Sequence, residues 1–254
     1  MLDIVVCFKW VIDEAYIRRT ASGGLDFSSV DYKISEYDRN AIEAAVRLRE
    51  IHGGAVTAIT VAPPEASKGV KDALSRGPDR AIFVSDPAFK ELDAFQTASI
   101  LGEVIRVKSK FNLILCGEGS GDSYAQQVGP RLAGILSIPC VAYVQRLDIE
   151  NERIIAERKA GDFTEVLSIP MPALATVLPD IASPRIPGVK DTLMASKKPV
   201  ETVVRGDLGG VPEAKMKTLG LTASKMEREC ELFTAEESDI ARFVATLQKK
   251  GVLK

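Results

Sequence analysis

A glycine-rich stretch near the middle of the chain combines the residue types that hold a phosphate group. An apolar run, 111–115, ends at Gly117, and Gly119 and Gly121 follow before a segment of helical composition near 123–136. A buried parallel strand that passes through a glycine-rich turn into a helix leaves backbone N–H groups free at the helix N-terminus, where the helix dipole also attracts anions. We therefore predict a phosphate-binding turn, with a tight turn that holds no ligand as the alternative.

The spacing of these glycines differs from that of two common phosphate-binding motifs. A P-loop requires a Gly-Lys-Ser/Thr sequence, which this stretch lacks. The dinucleotide fingerprint G-x-G-x-x-G requires a third glycine at a different offset, since the stretch here has the form G-x-G-x-G-D. The motif therefore predicts an anion site without identifying the ligand.

The composition argues against several classes of protein. The chain has 254 residues, enough for one large α/β domain or a domain with an appendage, and its 33 Lys and Arg against 35 Asp and Glu give a net charge of -2. Such a chain has no basic field that would recruit nucleic acid. No uninterrupted apolar stretch approaches the roughly 20 residues that span a bilayer, and residues 1–7 resemble a first strand rather than a signal peptide. We expect a cytoplasmic protein that neither inserts into membranes nor binds nucleic acid.

The scarcity of histidine and the spacing of the cysteines argue against a chemical active site in the chain itself. The only histidine, His52, stands beside a Gly-Gly turn, so a His-based triad or a His-rich metal site is nearly excluded. The cysteines are far apart and form no C-x-x-C motif, which predicts reduced core residues rather than a metal or redox pair. They are Cys7, Cys116, Cys140 and Cys230. We therefore predict no catalytic residue and no metal ligand.

Strand-like and helical segments alternate in the first 144 residues. The strand-like runs lie near 3–9, 55–61, 81–85, 111–116 and 138–144, and the helical segments lie near 37–51, 65–76 and 92–109. This alternation predicts an α/β fold, a parallel sheet with helices on both faces. Ligands of such sheets bind beyond the carboxyl ends of the strands. The loops that meet this condition are the one after Cys7, Ser35–Asp38, Val61–Pro64 and Gly117–Val128.

The pattern changes after residue 144. Segments 145–158 and 163–169 alternate polar and apolar residues, which predicts an antiparallel β-hairpin. Segment 171–178 returns to the composition of a core strand, and a proline-rich segment, 179–188, follows it.

The C-terminal quarter of the chain has little regular pattern. Residues 199–231 contain several glycines that interrupt regular secondary structure. A last helix is predicted from Thr234, as its N-cap, to Lys249. A long stretch without pattern is unusual in a compact domain. We therefore predict two parts, residues 1–198 as the α/β domain and 199–254 as an arm that packs on something other than its own domain.

Several dispersed segments, in one order along the chain, resemble the β subunit of electron transfer flavoprotein, and most closely its Fix-type bacterial branch. They are Val5–Lys9, Lys33–Ala45, Leu74–Asp79, Leu113–Gly129 and Ser183–Pro187. The resemblance implies a nucleotide-binding domain of the adenine nucleotide α-hydrolase-like type. It also implies a heterodimer in which an α subunit holds the redox-active FAD, while this chain binds AMP or a second FAD and contributes its C-terminal arm to the α subunit.

The resemblance places the nucleotide contacts of this chain on the rim loops identified above. They are Cys7, Ser35, Glu36, Tyr37, Asp38, Val61, Gly117, Glu118, Gly119, Ser120, Gly121, Asp122, Ser123, Tyr124, Ala125, Gln126, Gln127 and Val128. The commonest family form has an Ala-Ile-Asp segment near 120–124, where this chain has Gly-Ser-Gly-Asp-Ser-Tyr, which leaves the identity of the nucleotide open. Asp122 would repel a phosphate unless a proton, a cation or N–H groups offset its charge, and the alternative is that it serves as a helix N-cap.

The resemblance also implies two contacts with partner proteins. The proline-rich segment matches a recognition loop that inserts an apolar side chain into an acyl-CoA dehydrogenase-type flavoenzyme, and Ile181 matches the anchoring position. Glu165 matches a position that contacts an arginine of the α subunit. The alternatives are that Ile181 packs under its own loop and that Glu165 is simply solvated.

The function that follows from the resemblance is electron transfer, in a carrier rather than a self-contained enzyme. FAD would shuttle electrons between an acyl-CoA dehydrogenase-type partner and another redox partner, and the cofactors would supply the redox chemistry. A first alternative is an electron-bifurcating member, in which a second FAD in this chain takes electrons from NADH. A second alternative is a stand-alone regulator that binds an adenine nucleotide.

Overall fold

The computed structural model describes residues 1–20, 24–222 and 230–253. The strands in these ranges are Leu2–Cys7 (β1), Trp10–Ile12 (β2), Arg18–Arg19 (β3), Leu25–Asp26 (β4), Tyr32–Ile34 (β5), Gly54–Ala62 (β6), Arg80–Ser85 (β7), Leu113–Gly117 (β8), Cys140–Glu150 (β9), Arg153–Ala160 (β10), Phe163–Pro170 (β11), Ala173–Val177 (β12) and Val200–Val203 (β13). The helices are Glu36–His52 (α1), Ser67–Ser75 (α2), Ala94–Lys108 (α3), Val128–Leu136 (α4), Val189–Ala195 (α5) and Glu237–Lys249 (α6). The chain divides into two compact units, Met1–Arg18 with Asp26–Gly220, and Arg19–Leu25 with Leu221–Lys254.

The first unit is built on one nine-stranded sheet, in the order β11-β10-β9-β12-β8-β1-β6-β7-β13. Every neighbouring pair from β9 to β13 is parallel, whereas β10 pairs antiparallel with both β9 and β11. The predicted α/β fold is confirmed, and the predicted hairpin is the three-stranded β9-β10-β11 extension of the sheet. No helix in the part of the chain that the structure describes is long and apolar enough to cross a membrane.

The central strands are apolar on both faces because helices cover both sides of the sheet. In β1, Ile4 and Val6 belong to the core shared with α1 and α2, while Val5 between them belongs to the core shared with α3 and α4. This alternation is the period of two that a strand imposes on its side chains. The helix α1 contributes its fully buried Ala41 and Ile42 to the first core.

Two helices begin later than the sequence predicts, for local reasons. The helix predicted near 123–136 begins only at Val128, because Tyr124 and Gln126 have φ angles of 44° and 56°, which a right-handed helix cannot contain. The helix predicted from Thr234 begins at Glu237. Thr234 donates from its backbone N–H and its hydroxyl to the Asp239 carboxylate instead of capping the helix itself.

Two further features differ from the sequence-based expectation. Residues Val200–Val203, in the segment that showed no pattern, form a parallel edge strand against β7. All four cysteines are free, but only Cys7 and Cys116 are buried, whereas Cys140 and Cys230 are exposed and so are not core residues.

The second unit contains α6. Its Phe243 packs edge-to-face on Phe233 with ring centroids 5.2 Å apart, and the Arg242 guanidinium carbon lies 5.0 Å from the Phe233 centroid. No residue of α6 is buried, and Ile240 and Phe243 remain exposed. Both side chains are therefore only partly covered by their own unit.

Two glycines of α4 are expected to respond oppositely to replacement by alanine. A Cβ at Gly129 would lie 2.4 Å from the Cγ2 of the buried Thr176, whereas a Cβ at Gly134 would meet nothing within 4 Å. We expect Gly129→Ala to lower the free energy of unfolding by about 1–3 kcal/mol through overpacking, and Gly134→Ala to raise it by about 0.5–1 kcal/mol through helix propensity. Urea denaturation of both variants measures this. Equal effects of the two substitutions would contradict the packing of α4 on β12.

Candidate nucleotide-binding site

The strand order places one crevice at the carboxyl edge of the sheet. The chain leaves β1 through α1 and returns in β6 on one side of β1, whereas it leaves β7 through α3 and returns in β8 on the other side. The two helices pack on opposite faces of the sheet. Open α/β sheets bind ligands where the direction of winding reverses in this way. The crevice therefore opens between the carboxyl ends of β1 and β8, Cys7 and Gly117.

The buried carboxylate of Asp38 joins the three segments that line this crevice. It lies in the first turn of α1, and it accepts hydrogen bonds from the backbone N–H of Lys9, at 2.8 Å, and of Gly117, at 3.1 Å. The loop after β1, the start of α1 and the end of β8 thus share one side chain. Burial raises the pKa of Asp38 to about 7, although the two N–H donors act in the opposite direction.

Gly117 is required by the closeness of α1 to the end of β8. A Cβ at this position would lie 2.6 Å from the Asp38 Oδ1 and 2.7 Å from the Tyr37 Cβ. Since the neighbours include the Tyr37 backbone, a side chain at Gly117 would separate the two elements. The first glycine of the motif therefore allows α1 to pack closely on the end of β8.

The loop after β8 is tied to the loop after β1 by an ion pair. The Lys9 Nζ lies 2.6 Å from the Asp122 Oδ2, and the Asp122 Oδ1 accepts the backbone N–H of Ser123 at 2.7 Å. The Gly121 N–H donates to the Ser35 Oγ at 3.3 Å. Burial tends to raise the pKa of Asp122, but Lys9 and the neighbouring donors hold it below its usual range. The negative charge of Asp122 is therefore offset by a cation and by an N–H group. Asp122 is not an N-cap, because α4 begins six residues later.

Two tyrosines close one side of the loop. The Tyr124 ring lies against Gly119, where a Cβ would approach within 2.5 Å of it, and its centroid is 5.3 Å from that of Tyr37. The Tyr124 hydroxyl donates to the Glu118 Oε1. The other carboxylate oxygen of Glu118, Oε2, is buried and has no hydrogen-bond partner among the described residues. A buried acceptor without a partner is costly, so this atom fits a ligand that brings a donor.

The structure gathers most, but not all, of the predicted contact residues. Direct hydrogen bonds or ring contacts connect Ser35, Tyr37, Asp38, Gly117, Glu118, Ser120, Gly121, Asp122, Ser123 and Tyr124 to one another or to Lys9. Val61 packs instead against the core of α3 and α4. The Gln127 Oε1 accepts hydrogen bonds from the Arg131 guanidinium. The contacts of all these residues with a nucleotide stay predictions.

Lys9 is the member of this cluster that the sequence analysis missed. The signal was present, because a lone lysine directly follows the apolar run of β1 at the predicted ligand edge. Nothing local connects it to the glycine-rich loop, since its partner Asp122 is 113 residues away in the chain.

The two predicted partner contacts have different environments. Glu165 on β11 is half-exposed and already pairs with Arg158, with 2.8 Å between the Glu165 Oε2 and the Arg158 Nε. Ile181 is half-buried and packs against the core of α1 and α2. In the same proline-rich segment, Ile186 is 93% exposed. The role of Ile181 as an anchor stays a prediction, and Ile186 is the more accessible side chain.

One comparison with known proteins bears on this site. The family model described as the electron transfer flavoprotein domain matches residues 23–208, which is most of the chain. The matched range includes α1, β8 and the glycine-rich loop, which line the crevice.

The stability contributed by Asp38 is expected to depend on pH. Its folded-state pKa of about 7 lies above the unfolded value near 3.9, so its contribution is full below about pH 4 and is lost as the pH rises to about 7. We expect the stability difference between the wild type and Asp38→Asn to shrink with rising pH, by at most about 1.4 kcal/mol per unit. Urea denaturation at several pH values measures this.

Asp93 provides a matched control for this experiment. Burial tends to raise its pKa, but the backbone N–H groups of Gln96 and Lys215 bring it below the usual value. The stability difference between the wild type and Asp93→Asn should therefore stay constant between about pH 5 and pH 7. A flat profile for Asp38→Asn would contradict the assigned environment of Asp38.

Proposed function

This chain belongs to the electron transfer flavoprotein family, and on that premise we propose that it is the β subunit of a heterodimeric carrier. In this proposal an α subunit holds the redox-active FAD, and this chain holds AMP or a second FAD in the crevice between β1 and β8. The observation that carries the proposal is the convergence of Lys9, Asp38 and the glycine-rich loop on that crevice. Such a cluster at the winding reversal of a parallel sheet is where a nucleotide is expected.

The residues present fit an adenine nucleotide. Gly121 has open space where a side chain would project, so the backbone of the loop is approachable. The Lys9 ammonium, on a side chain that is 48% exposed, provides a cation for a phosphate. The orphan Glu118 Oε2 provides an acceptor for a ribose hydroxyl or an adenine amine. The Tyr124 ring is exposed and contacts the half-buried Tyr37 ring, which adds an aromatic surface beside the loop.

In the proposed mechanism the chain positions groups and does not itself carry electrons. A bound flavin supplies one- and two-electron transfer. Asp38 fixes the floor of the site, since both loops are bound to its carboxylate through backbone N–H groups. Lys9 and Asp122 set the local charge. The Tyr124 ring and Glu118 hold the outer part of the loop against the floor.

The proline-rich segment supports the proposed docking of a dehydrogenase. Arg185 binds Glu43 and Glu50 of α1, with Nε–Oε2 and Nη1–Oε1 distances of 2.8 and 2.9 Å. Next to this anchored arginine, Ile186 and Val189 are 93% and 81% exposed. A rigidly held segment that presents exposed apolar side chains is suited to fill a partner pocket with little loss of conformational entropy.

The C-terminal arm and Glu165 support the proposed contact with the α subunit. The helix α6 has no buried residue, and its exposed apolar side chains include Ile240 and Phe243. A helix with an uncovered apolar side is expected to pack on another surface. Glu165, exposed on the edge strand β11, would share its carboxylate between Arg158 and an arginine of the α subunit.

Two alternative functions make different predictions for specific features of the chain. An electron-bifurcating member would place FAD, reduced by NADH, at the same glycine-rich loop. A stand-alone nucleotide-binding regulator would have the same crevice but no use for the exposed apolar side of α6 or for the exposed Ile186. The identity of the bound nucleotide distinguishes the first alternative from the proposed carrier. The presence or absence of a flavin-binding partner distinguishes the second.

The proposed function is tested by the nucleotide content of the complex that co-purifies with this chain. We expect a heterodimer that releases one FAD and one AMP on denaturation, quantified by absorbance and chromatography. Two FAD and no AMP would instead favour the bifurcating alternative. A chain that purifies alone, with an adenine nucleotide and no flavoprotein partner, would contradict the proposal and favour the regulator.

Docking of the dehydrogenase is tested by placing a charge on the exposed segment. We expect Ile186→Asp and Val189→Asp each to lower the second-order rate of flavin reduction by the dehydrogenase about tenfold or more, because a carboxylate would enter an apolar pocket. The flavin content should be unchanged. Val107→Asp is the control, since Val107 is 74% exposed on α3, where the chain approaches the amino end of β8. Equal rates in all three variants would exclude this segment, and Ile181→Ala would then test the predicted anchor.

A further inference from the structure

The Lys9 backbone is bound at the crevice, whereas its side chain is partly exposed and ends in the ion pair with Asp122. The backbone N–H donates to Asp38 at 2.8 Å, and the backbone carbonyl accepts the Ser35 N–H at 3.0 Å. The side chain is 48% exposed. It has a flexible four-carbon stem, and its terminal ammonium carries three N–H donors. Lys9 therefore holds an accessible positive charge at a fixed point between the carboxyl ends of β1 and β8.

The partner of this charge sits on the segment that is expected to receive a phosphate. Asp122 lies between Gly121, around which space is open, and Tyr124, which has a φ of 44°. Its other oxygen accepts bonds from the Ser120 hydroxyl and the Ser123 N–H. These local bonds would still satisfy the Asp122 carboxylate if Lys9 turned to another anion, so the exchange would leave no buried charge without donors.

The buried Glu118 Oε2 is a second, independent feature of the same loop that points to a ligand. Glu118 is more than nine-tenths buried, and this oxygen has no partner among the described residues. It requires a donor, whereas Lys9 requires an anion. A nucleotide carries both kinds of group, a hydroxyl or amine and a phosphate, on one molecule.

We propose that Lys9 is the phosphate-binding cation of this site and that the Asp122 carboxylate competes with the nucleotide phosphate for it. The inference rests on the proposed nucleotide site and adds a mechanism by which the site would select phosphorylated ligands. A nucleoside without phosphate leaves the Lys9–Asp122 pair in place and cannot displace it. A phosphate-bearing ligand takes over Lys9, and the Asp122 carboxylate keeps its bonds from Ser120 and Ser123. The site thereby discriminates phosphorylated from unphosphorylated ligands through an internal competitor.

The test compares AMP with adenosine, and FAD with riboflavin, by isothermal titration of the full chain in the complex in which it is purified. We expect Lys9→Met to weaken AMP and FAD binding by about ten- to a hundredfold, the range of a charge-assisted hydrogen bond. Adenosine and riboflavin binding should change less than about twofold. Asp122→Asn removes the competing charge and should strengthen AMP binding several-fold, again with little effect on adenosine.

The control is a matched ion pair at the other edge of the sheet. Lys108 at the end of α3 lies 2.9 Å from Glu201, and both side chains are exposed to a similar degree as Lys9 and Asp122. Lys108→Met should leave all four affinities unchanged.

The outcomes separate this inference from the proposed function. Equal weakening of AMP and adenosine by Lys9→Met would make Lys9 a structural tie and overturn the inference, while the nucleotide site itself would stand. Weaker AMP binding in Asp122→Asn would overturn the competitor role. A wild-type complex that binds neither AMP nor FAD at this chain would overturn the proposed function and the inference together.

Discussion

The Asp38 carboxylate is the contact on which the geometry of the candidate site depends. It is buried, and it receives one backbone N–H from the loop after β1 and one from the end of β8. Removing either donor would leave one buried oxygen of Asp38 without a hydrogen bond, which costs more than the net gain of a typical hydrogen bond. The position of α1, the need for glycine at 117 and the position of the Lys9 backbone all follow from this arrangement.

The site thus has a rigid floor and an adjustable upper layer. Backbone atoms and the buried Asp38 form the floor, and they are tied to strands whose side chains are buried on both faces of the sheet. The upper layer consists of the exposed side chains of Lys9, Asp122 and Tyr124. Lys9 and Asp122 pair across two loops, and Tyr124 lies against Gly119. A rigid scaffold that carries functional loops is the usual arrangement in α/β proteins. Here it fixes the position of the crevice between β1 and β8.

The fold was predictable from the sequence wherever burial dictates the pattern. The strands β1, β6 and β8 and the helix α1 lie within a few residues of their predicted positions, since continuous apolar runs and a helical period mark them. The start of α4 was not predictable, because it depends on the backbone of Tyr124 and Gln126. The edge strand β13 is too short to show a pattern. In the site, the loops were predicted, but the Lys9–Asp122 pair joins residues that only the tertiary fold brings together.

The position of β12 between β8 and β9 has a consequence for how the chain acquires its structure. Strand β8 pairs with β1 on one side, but its other neighbour is made only after the whole β9-β10-β11 extension has been synthesised. Until then one side of β8 exposes unpaired backbone groups next to the glycine-rich loop, an edge that invites pairing with other chains. Such non-local pairing is slow to form. The second edge of β8 is therefore completed late in folding, only after residues 173–177 have been made.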